Sequence, residues 1–150
     1  MVERLVLGLG NLDRGDDGVG RIVVRSLRPR APADVRLLEQ SGEASALLAE
    51  LQEADCAWLI DAAQSGAPPG AIHRIDCAAT DVALPSGTVS SHGFGLAEAI
   101  ALARTLDLLP SRCVVYAVEA ADFTLGAEPS PHVAAAVDEV ARRILEELHA

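Results

Sequence analysis

Residues 5–27 read LVLGLGNLDRGDDGVGRIVVRSL, and this stretch decides the fold. It opens with a short apolar run, residues 5–9, which is typical of a strand buried inside a sheet. Apolar residues then recur at helical spacing, and prolines at positions 29 and 32 end that helix; the residues are Val19, Ile22, Val23 and Leu27. A buried strand that leads through a glycine-rich turn into a helix predicts the first unit of an α/β protein.

The same alternation continues along the chain. Apolar runs predict further strands at 35–39, 56–60, 113–118 and, as an edge strand, at 71–76. Amphipathic patterns predict helices at 44–51, from about 91–94 to 106, and from Ser130-Pro131 onward, where the serine caps the helix. We therefore expect a single domain over residues 1–150, a three-layer α/β sandwich whose mostly parallel, twisted, five-stranded sheet carries helices on both faces.

The composition excludes several classes of partner. The chain has 12 basic residues, all arginine, and 22 acidic residues, which give a formal net charge of -10. A negative chain repels nucleic-acid phosphates and anionic lipid headgroups, so we expect no nucleic-acid and no membrane partner. No apolar stretch approaches the roughly 20 residues of a membrane-spanning helix, and the first residues do not read as a signal peptide.

The cysteines indicate a cellular location. Cys56, Cys77 and Cys113 are odd in number and lack the spacing of metal ligands, which is typical of buried, reduced thiols in a cytoplasmic protein. No conspicuous apolar surface stretch is left over in the pattern, so we expect a monomer.

The glycine-rich turn at 8–20 could be read as a dinucleotide-binding loop, but its details argue against this. Asp13 stands where G-x-G-x-x-G has its third glycine, and Asp16 and Asp17 would repel a pyrophosphate at the start of the helix. These two carboxylates suit a cation instead. The competing interpretation is that one of them caps the helix, and this segment alone does not decide between the two.

Other polar residues follow the predicted strands at the edge where parallel sheets bind ligands. Asp61 ends the third strand, where a buried carboxylate is costly unless a ligand or a loop hydrogen bond satisfies it. His92 begins a helix, whose dipole favours the neutral imidazole that binds metals, although a capping role fits equally well. Together, Asp17, Asp61 and His92 suit a divalent cation with open coordination positions. Glu119, directly after the last predicted strand, is a fourth acidic group on that edge.

A serine or cysteine hydrolase is the weaker interpretation. Ser91 or Cys113 would act with His92, but Ser91 adjoins His92 in sequence, which makes a productive geometry hard to arrange. Neither Ser90 nor Ser91 lies in a G-x-S-x-G elbow, so helix capping is favoured for both. His73 is expected at the surface.

Four segments, taken in order, resemble the [NiFe]-hydrogenase maturation endopeptidases. They are GLGNLDRGDDGVG at 8–20, LIDAAQSG at 59–66, SSHGFGLAEAIALA at 90–103 and VYAVEAADFTLGAEPSP at 115–131. Each motif alone is weak, but four in register are fairly specific, and together they span essentially the whole chain. The resemblance implies a single α/β domain with peptidase activity.

The resemblance also implies a site and a substrate. The three metal-contacting positions of the family fall on Asp17, Asp61 and His92. The implied substrate is a hydrogenase large-subunit precursor that already carries nickel, or another divalent metal in its place, and the enzyme removes its C-terminal extension. A carboxylate not tied to the metal, Asp16 being one choice, would act as general base. The sequence contains no HExxH helix, so an ordinary zinc protease is excluded.

Two points stay open. Residues 39–43, EQSGE, depart from the glycine-rich stretch ending in threonine that the family usually has, and this loop is expected to help choose the partner hydrogenase. The same three metal-contacting residues would also suit a nickel-sensing chaperone that binds the metallated precursor without cutting it. A change in the mass of the precursor would distinguish the protease from the chaperone.

Overall fold

The computed structural model describes residues 2–79 and 96–150. Within them lie five strands: β1 (Arg4–Leu9), β2 (Val35–Gln40), β3 (Cys56–Ala63), β4 (Ile72–Asp76) and β5 (Arg112–Glu119). They are accompanied by four α-helices: α1 (Val19–Leu27), α2 (Ala44–Glu53), α3 (Leu96–Thr105) and α4 (Pro131–His149). A short 3-10 turn, Gly15–Gly18, leads from β1 into α1.

The strands form one sheet in the order β2-β1-β3-β5-β4. β1 pairs in parallel with β2 and with β3, and β3 pairs in parallel with β5, whereas β4 runs antiparallel to β5 at the edge. The predicted parallel sheet and the predicted edge strand are therefore both confirmed. Because β1, β2, β3 and β5 run the same way, their carboxyl ends meet at one edge of the sheet.

Side chains alternate between two apolar layers, one on each face of the sheet. Even-numbered residues of β1, β3 and β5, such as Val6 and Trp58, pack in the layer with α1 and α4. Odd-numbered residues, such as Leu7 and Leu59, pack in the layer with α2 and α3. Each large aliphatic side chain buried in this way contributes about 1.5–3 kcal/mol. The expected three-layer sandwich is thus confirmed.

Two glycines allow α1 to lie directly on the sheet. A Cβ atom on Gly20 would lie 2.2 Å from the carbonyl oxygen of Ile60, and one on Gly8 would lie 2.2 Å from the carbonyl oxygen of Gly20. No larger residue fits at either position unless the helix moves away from β1 and β3. The glycines of this segment therefore serve close packing, and they hold the 15–18 turn in contact with β3.

Two strands extend further than the sequence predicts, and each extension carries an acidic residue. The apolar pattern predicts an end to β3 at Asp61, whereas the strand runs on to Ala63 because it stays paired with β5. β5 likewise includes Glu119 as its last residue. The start predicted for α3, at 91–94, lies outside the described residues. In the described parts of the chain, no helix is both long and apolar enough to cross a membrane.

Candidate active site

Four acidic side chains are buried in residues 2–79 and 96–150, and all belong to segments at the carboxyl edge of the sheet. They are Asp16, Asp17, Asp61 and Glu119, each no more than 2% exposed. Asp16 and Asp17 lie in the turn after β1, whereas Asp61 and Glu119 lie near the ends of β3 and β5. Burial of an ionised carboxylate is costly, so the contacts of each one indicate its role.

Asp61 is fixed in the sheet with one carboxylate oxygen unused. It lies opposite Ala117 of β5, and its side chain is on the face that α2 and α3 cover. Oδ1 accepts the N–H of Ala62 at 2.8 Å, whereas Oδ2 is buried and accepts no hydrogen bond in the described part of the chain. An acceptor left in this state costs about 1–3 kcal/mol. It is therefore a position at which a cation or a proton would be bound.

The pKa of Asp61 reflects this environment. Burial is the largest cause and raises the pKa to about 8; the N–H of Ala62 opposes the rise, and the negative charge of Asp17 adds to it. At neutral pH the carboxyl is therefore mostly protonated, and a cation placed against it would favour loss of the proton. The charge effect also indicates that Asp17 and Asp61 lie in the same region of the carboxyl edge.

Asp17 lies beside the start of α1 without capping it. Its Oδ2 accepts the backbone N–H of Asn11 at 3.0 Å, which closes the loop between β1 and the 15–18 turn. Gly18 occupies the N-cap position of α1, and no side chain makes a capping hydrogen bond there. The interpretation that Asp16 or Asp17 caps this helix is therefore wrong, because both carboxylates bind backbone N–H groups of other segments.

Asp16 is engaged on both oxygens by the loop that follows β5. Oδ2 accepts the N–H groups of Ala121 at 2.7 Å and Asp122 at 2.9 Å, and Oδ1 accepts that of Ser130 at 2.7 Å. The backbone N–H of Asp16 donates in return to the carbonyl oxygen of Asp122 at 2.8 Å. These bonds tie the turn after β1 to the loop before α4. They favour a positioning role for Asp16 over the role of general base that the sequence suggests.

The side chain of Ser130 also contributes to the connection between the loop before α4 and Asp16. It occupies the N-cap position of α4 and Pro131 follows it, as predicted, but its side chain makes no capping hydrogen bond. The hydroxyl lies 2.9 Å from Oδ2 of Asp16 and donates to that carboxylate. The predicted side-chain cap is therefore wrong, because an ionised carboxylate is the stronger hydrogen-bond partner for the hydroxyl.

Glu119 has two partners that the sequence does not predict. Ser65 donates its hydroxyl and its backbone N–H, the latter at 3.1 Å to Oε2, and Nε2 of His73 lies 3.0 Å from Oε1. Burial raises the pKa of Glu119, but these hydrogen bonds outweigh burial and hold the pKa below its ordinary value. His73, expected as a plain surface residue, reaches Glu119 because β4 returns antiparallel beside β5. Only the register of that edge strand would have revealed the contact.

The segment that departs from the family pattern begins at the end of β2. Glu39 lies 3.0–3.1 Å from three side chains of α1 and the residue after it, and these are Arg21, Arg25 and Arg28. Further along, Glu43 caps α2 by accepting two backbone N–H groups of its first turn. Both acidic residues of the departing segment therefore have structural partners, and Glu39 joins α1 to β2.

The third predicted metal contact, His92, lies outside the described residues, as do Ser90 and Ser91. In the described ranges, no group of three or more histidine, cysteine, aspartate or glutamate side chains is arranged to hold a metal. Cys113 lies near the amino end of β5, four residues before the position opposite Asp61. The structure therefore separates Cys113 from the acidic edge, which disfavours it as a nucleophile there.

Sequence comparison places the chain among proteins of hydrogenase maturation. The sequence profile of the family described as hydrogenase maturation protease, HycI, matches residues 22–147. The hydrogenase expression/formation protein HupD of Rhodobacter capsulatus is 32% identical over 97% of this chain and 71% of its own length. HupM of Azotobacter chroococcum mcd 1 is 30% identical over 79% of this chain and 58% of its own length.

Solved structures share the whole fold. The hydrogenase maturating endopeptidase HybD from E. coli superposes with a TM-score of 0.80 and 23% identity, over 99% of this chain and 93% of its own. The [NiFe] hydrogenase maturation protease HybD from Thermococcus kodakarensis gives a TM-score of 0.76 and 26% identity, over 98% of this chain and 99% of its own.

The fold, the acidic edge and these matches define an α/β peptidase. The chain belongs to the hydrogenase maturation protease family, which confirms the resemblance found in its four segments. It is a peptidase of hydrogenase maturation. The chain spans 54% to 58% of the length of several curated relatives, and 71% of the length of HupD from Rhodobacter capsulatus.

Proposed function

We propose that this protein removes the C-terminal extension of a [NiFe]-hydrogenase large-subunit precursor that already carries nickel. Asp17, Asp61 and His92 contact the metal that the precursor brings, which places the scissile peptide bond at the carboxyl edge of the sheet. The observation that carries this proposal is Asp61, a buried carboxyl with one oxygen that lacks a hydrogen bond in the described residues.

The electrostatics of Asp61 support a site that responds to the metal. With its pKa raised to about 8 by burial, Asp61 is mostly protonated when no cation is near. A divalent ion in the precursor favours the ionised form, so binding of the metal and release of the proton are coupled. A precursor that lacks the metal does not recover the cost of ionising the buried carboxyl of Asp61.

The chemistry of cleavage follows from the same arrangement. A divalent metal polarises a nearby carbonyl group and lowers the pKa of bound water. Asp17 and Asp61 hold the metal from two segments, the 15–18 turn and β3, and Asp16 keeps the turn in position through its bonds to the loop after β5. We place the proton transfer on a carboxylate of the site or on a water, with Asp16 as the positioning residue.

The test is a cleavage assay read by intact mass. The purified protein is incubated with the large-subunit precursor from the same organism, once loaded with nickel and once nickel-free. The proposal predicts that only the loaded precursor loses the mass of a C-terminal peptide. A stable complex with unchanged mass would instead identify a nickel-sensing chaperone, and absence of any binding would show that this precursor is not the partner.

Two variants test the site itself. Asp17→Asn should fold normally and lose cleavage, because its side chain keeps its size but loses its charge. Asp13→Asn is the matched control, since Asp13 is an exposed aspartate in the same loop and should keep full activity. Normal cleavage by a folded Asp17→Asn protein would refute the assignment of the metal contacts.

A further inference from the structure

Two buried thiols face each other where β4 ends. The register that pairs Asp76 with Val114 continues by one residue, which places Cys77 opposite Cys113. The N–H of Cys77 donates to the carbonyl oxygen of Cys113 at 2.7 Å, so the two residues lie opposite each other. Residues directly opposite each other in antiparallel strands have Cα atoms about 4.5–5.5 Å apart. This lies within the span of about 4.4–6.8 Å that a disulfide bridges.

The third cysteine is separated from this pair by the sheet. Cys77 and Cys113 are 1% and 0% exposed and belong to the apolar layer with α2 and α3. Cys56, at the start of β3, is half-buried and packs against the opposite layer, with α1 and α4. The fold therefore brings together two of the three thiols and leaves Cys56 as an internal control.

A cleft lies beside the pair. It has a volume of 280 Å³, and its lining includes Ala78, which follows Cys77, together with Arg104 and Asp107. The guanidinium of Arg104 donates to the carbonyl oxygen of Cys77 at 2.7 Å, so the same positively charged side chain lines the cleft and contacts the backbone of Cys77. A small reagent that carries a carboxylate would meet this charge on entering.

The two thiols differ in acidity. The neighbouring thiol of Cys113 lowers the pKa of Cys77, and the charge of Arg104 acts in the same direction, against burial and the charge of Asp76. The interaction with Cys77 raises the pKa of Cys113, and burial raises it further. Cys77 is also the member of the pair that adjoins the cleft and that Arg104 contacts, so we assign it as the nucleophile, which attacks as the thiolate.

We propose that Cys77 and Cys113 form a thiol–disulfide exchange site that reacts with small disulfides of the glutathione class through this cleft. The inference does not depend on the proposed peptidase substrate. The resulting bond cross-links the edge strand β4 to β5.

The exchange proceeds in two balanced steps. The Cys77 thiolate attacks one sulfur of the small disulfide, which forms a mixed disulfide and releases one small thiol. Cys113 then attacks the sulfur of Cys77, and the second small thiol leaves. The protein loses two electrons and two protons, and both pass to the small disulfide, which is reduced to two thiols.

Peptide mapping of the unmodified protein tests the proposal directly. The folded protein is treated with glutathione disulfide, its remaining thiols are alkylated, and the chain is cut after arginine. The three cysteines then lie on separate peptides, 37–74, 75–104 and 113–142. We expect 75–104 to be joined to 113–142, and 37–74 to be alkylated. The number of free thiols should fall from three to one and return to three on reduction.

Several outcomes would overturn the proposal. Alkylation of all three peptides, glutathione on 37–74 alone, or any link that involves 37–74 would each show that Cys77 and Cys113 do not exchange as a pair. The same reagent applied to the unfolded chain provides the comparison, because all three thiols are then accessible.

Serine variants test the order of the two steps. Cys113→Ser should stop at a mixed disulfide on Cys77, and Cys77→Ser should slow thiol loss at least tenfold, while Cys56→Ser should behave like the unmodified protein. An equal rate in Cys77→Ser would contradict the assignment of Cys77 as the nucleophile. The mapping experiment on the unmodified chain decides the proposal even if a variant does not fold.

Discussion

Asp16 and Asp61 are both buried aspartates at the carboxyl edge of the sheet, yet their surroundings are opposite. The carboxylate of Asp16 accepts three backbone N–H groups and contacts the hydroxyl of Ser130. The carboxyl of Asp61 accepts a single N–H, and its Oδ2 has no hydrogen bond in the described part of the chain. Asp16 is therefore held by its neighbours, whereas Oδ2 of Asp61 can still bind a cation or a proton.

The difference separates two uses of a buried acidic group. When protein donors replace all the lost water, as around Asp16, the group joins the segments that surround it. When an oxygen has no donor in the described part of the chain, as in Asp61, the folded protein is less stable until a ligand binds. The 15–18 turn carries Asp17 beside Asp16, so the bonds of Asp16 also hold Asp17 in position.

The largest expected effect is on catalysis. Replacement of Asp61 by asparagine should lower the rate of precursor cleavage by more than about 100-fold, because the variant cannot offer a carboxylate to the metal. The rate is measured from the intact mass of nickel-loaded precursor over time. Asp55→Asn is the control at the other end of β3, where the exposed side chain should be dispensable. Equal losses in both variants would show that the effect is not specific to the site.

Replacement of Asp16 should strongly lower the stability of the folded protein. Asp16→Asn turns one acceptor into a donor that faces backbone N–H groups, so we expect a loss of about 3 kcal/mol. For a chain of this size, that loss corresponds to a Tm lower by about 6–12 °C. Thermal unfolding provides the measurement. A Tm within about 2 °C of the unmodified protein would mean that the tie between the turn and the 121–130 loop is not stabilising.

Replacement of Asp61 should change the stability of the folded protein in the opposite direction. Its pKa is raised in the folded state to about 8, so folding retains a proton that the unfolded chain releases, and stability falls as the pH rises towards that value. Asp61→Asn removes this dependence and should therefore gain stability relative to the unmodified protein, by about 1.4 kcal/mol for each pH unit between about pH 4 and pH 8. Urea unfolding at acidic and alkaline pH measures the difference. Parallel pH profiles for the two proteins would contradict the raised pKa.

The smallest effect concerns Glu119. Ser65→Ala removes one hydroxyl donor and should cost about 1 kcal/mol at neutral pH. The pKa of Glu119 is lowered in the folded state. This stabilisation is therefore present when the pH lies above the ordinary pKa of a glutamate, and it is lost as the pH falls. The gap between variant and unmodified protein, measured by urea unfolding, should therefore narrow in acid. A gap that stays constant would place the contribution of Ser65 outside its contact with Glu119.

Local patterns in the sequence were sufficient for the order of elements. The apolar run before Gly10 and the helical spacing from Val19 predict β1 and α1 because each pattern is completed within a few residues. The end of β3 is different. A carboxylate normally ends an apolar run, but Asp61 stays in the strand because the pairing with β5, more than 50 positions away in sequence, continues to Ala63.

The sequence places Asp16, Asp17 and Asp61 at the carboxyl edge of the sheet, where the structure also has them, but it does not predict their hydrogen-bond partners. Both Asp16 and Asp17 stand where a helix cap is expected; Asp16 instead accepts N–H groups of the distant loop after β5, whereas Asp17 accepts that of nearby Asn11. The bond between Asp16 and Ser130 joins positions 114 apart, and the approach of His73 to Glu119 depends on the register of an edge strand. Neither leaves a periodic signal in the sequence.

The hydrogen bonds of Asp16 to the loop between β5 and α4 have a consequence for the synthesis of the protein. β1 and the 15–18 turn leave the ribosome early, but the partners of Asp16 extend to Ser130, near the start of α4. These contacts cannot form until residue 130 has been synthesised. A nascent chain that has reached α3 therefore already contains Asp17 and Asp61, but it has not yet secured the turn that carries Asp17. We therefore expect the proposed site to be completed, and the peptidase to become active, only when its own chain is nearly finished.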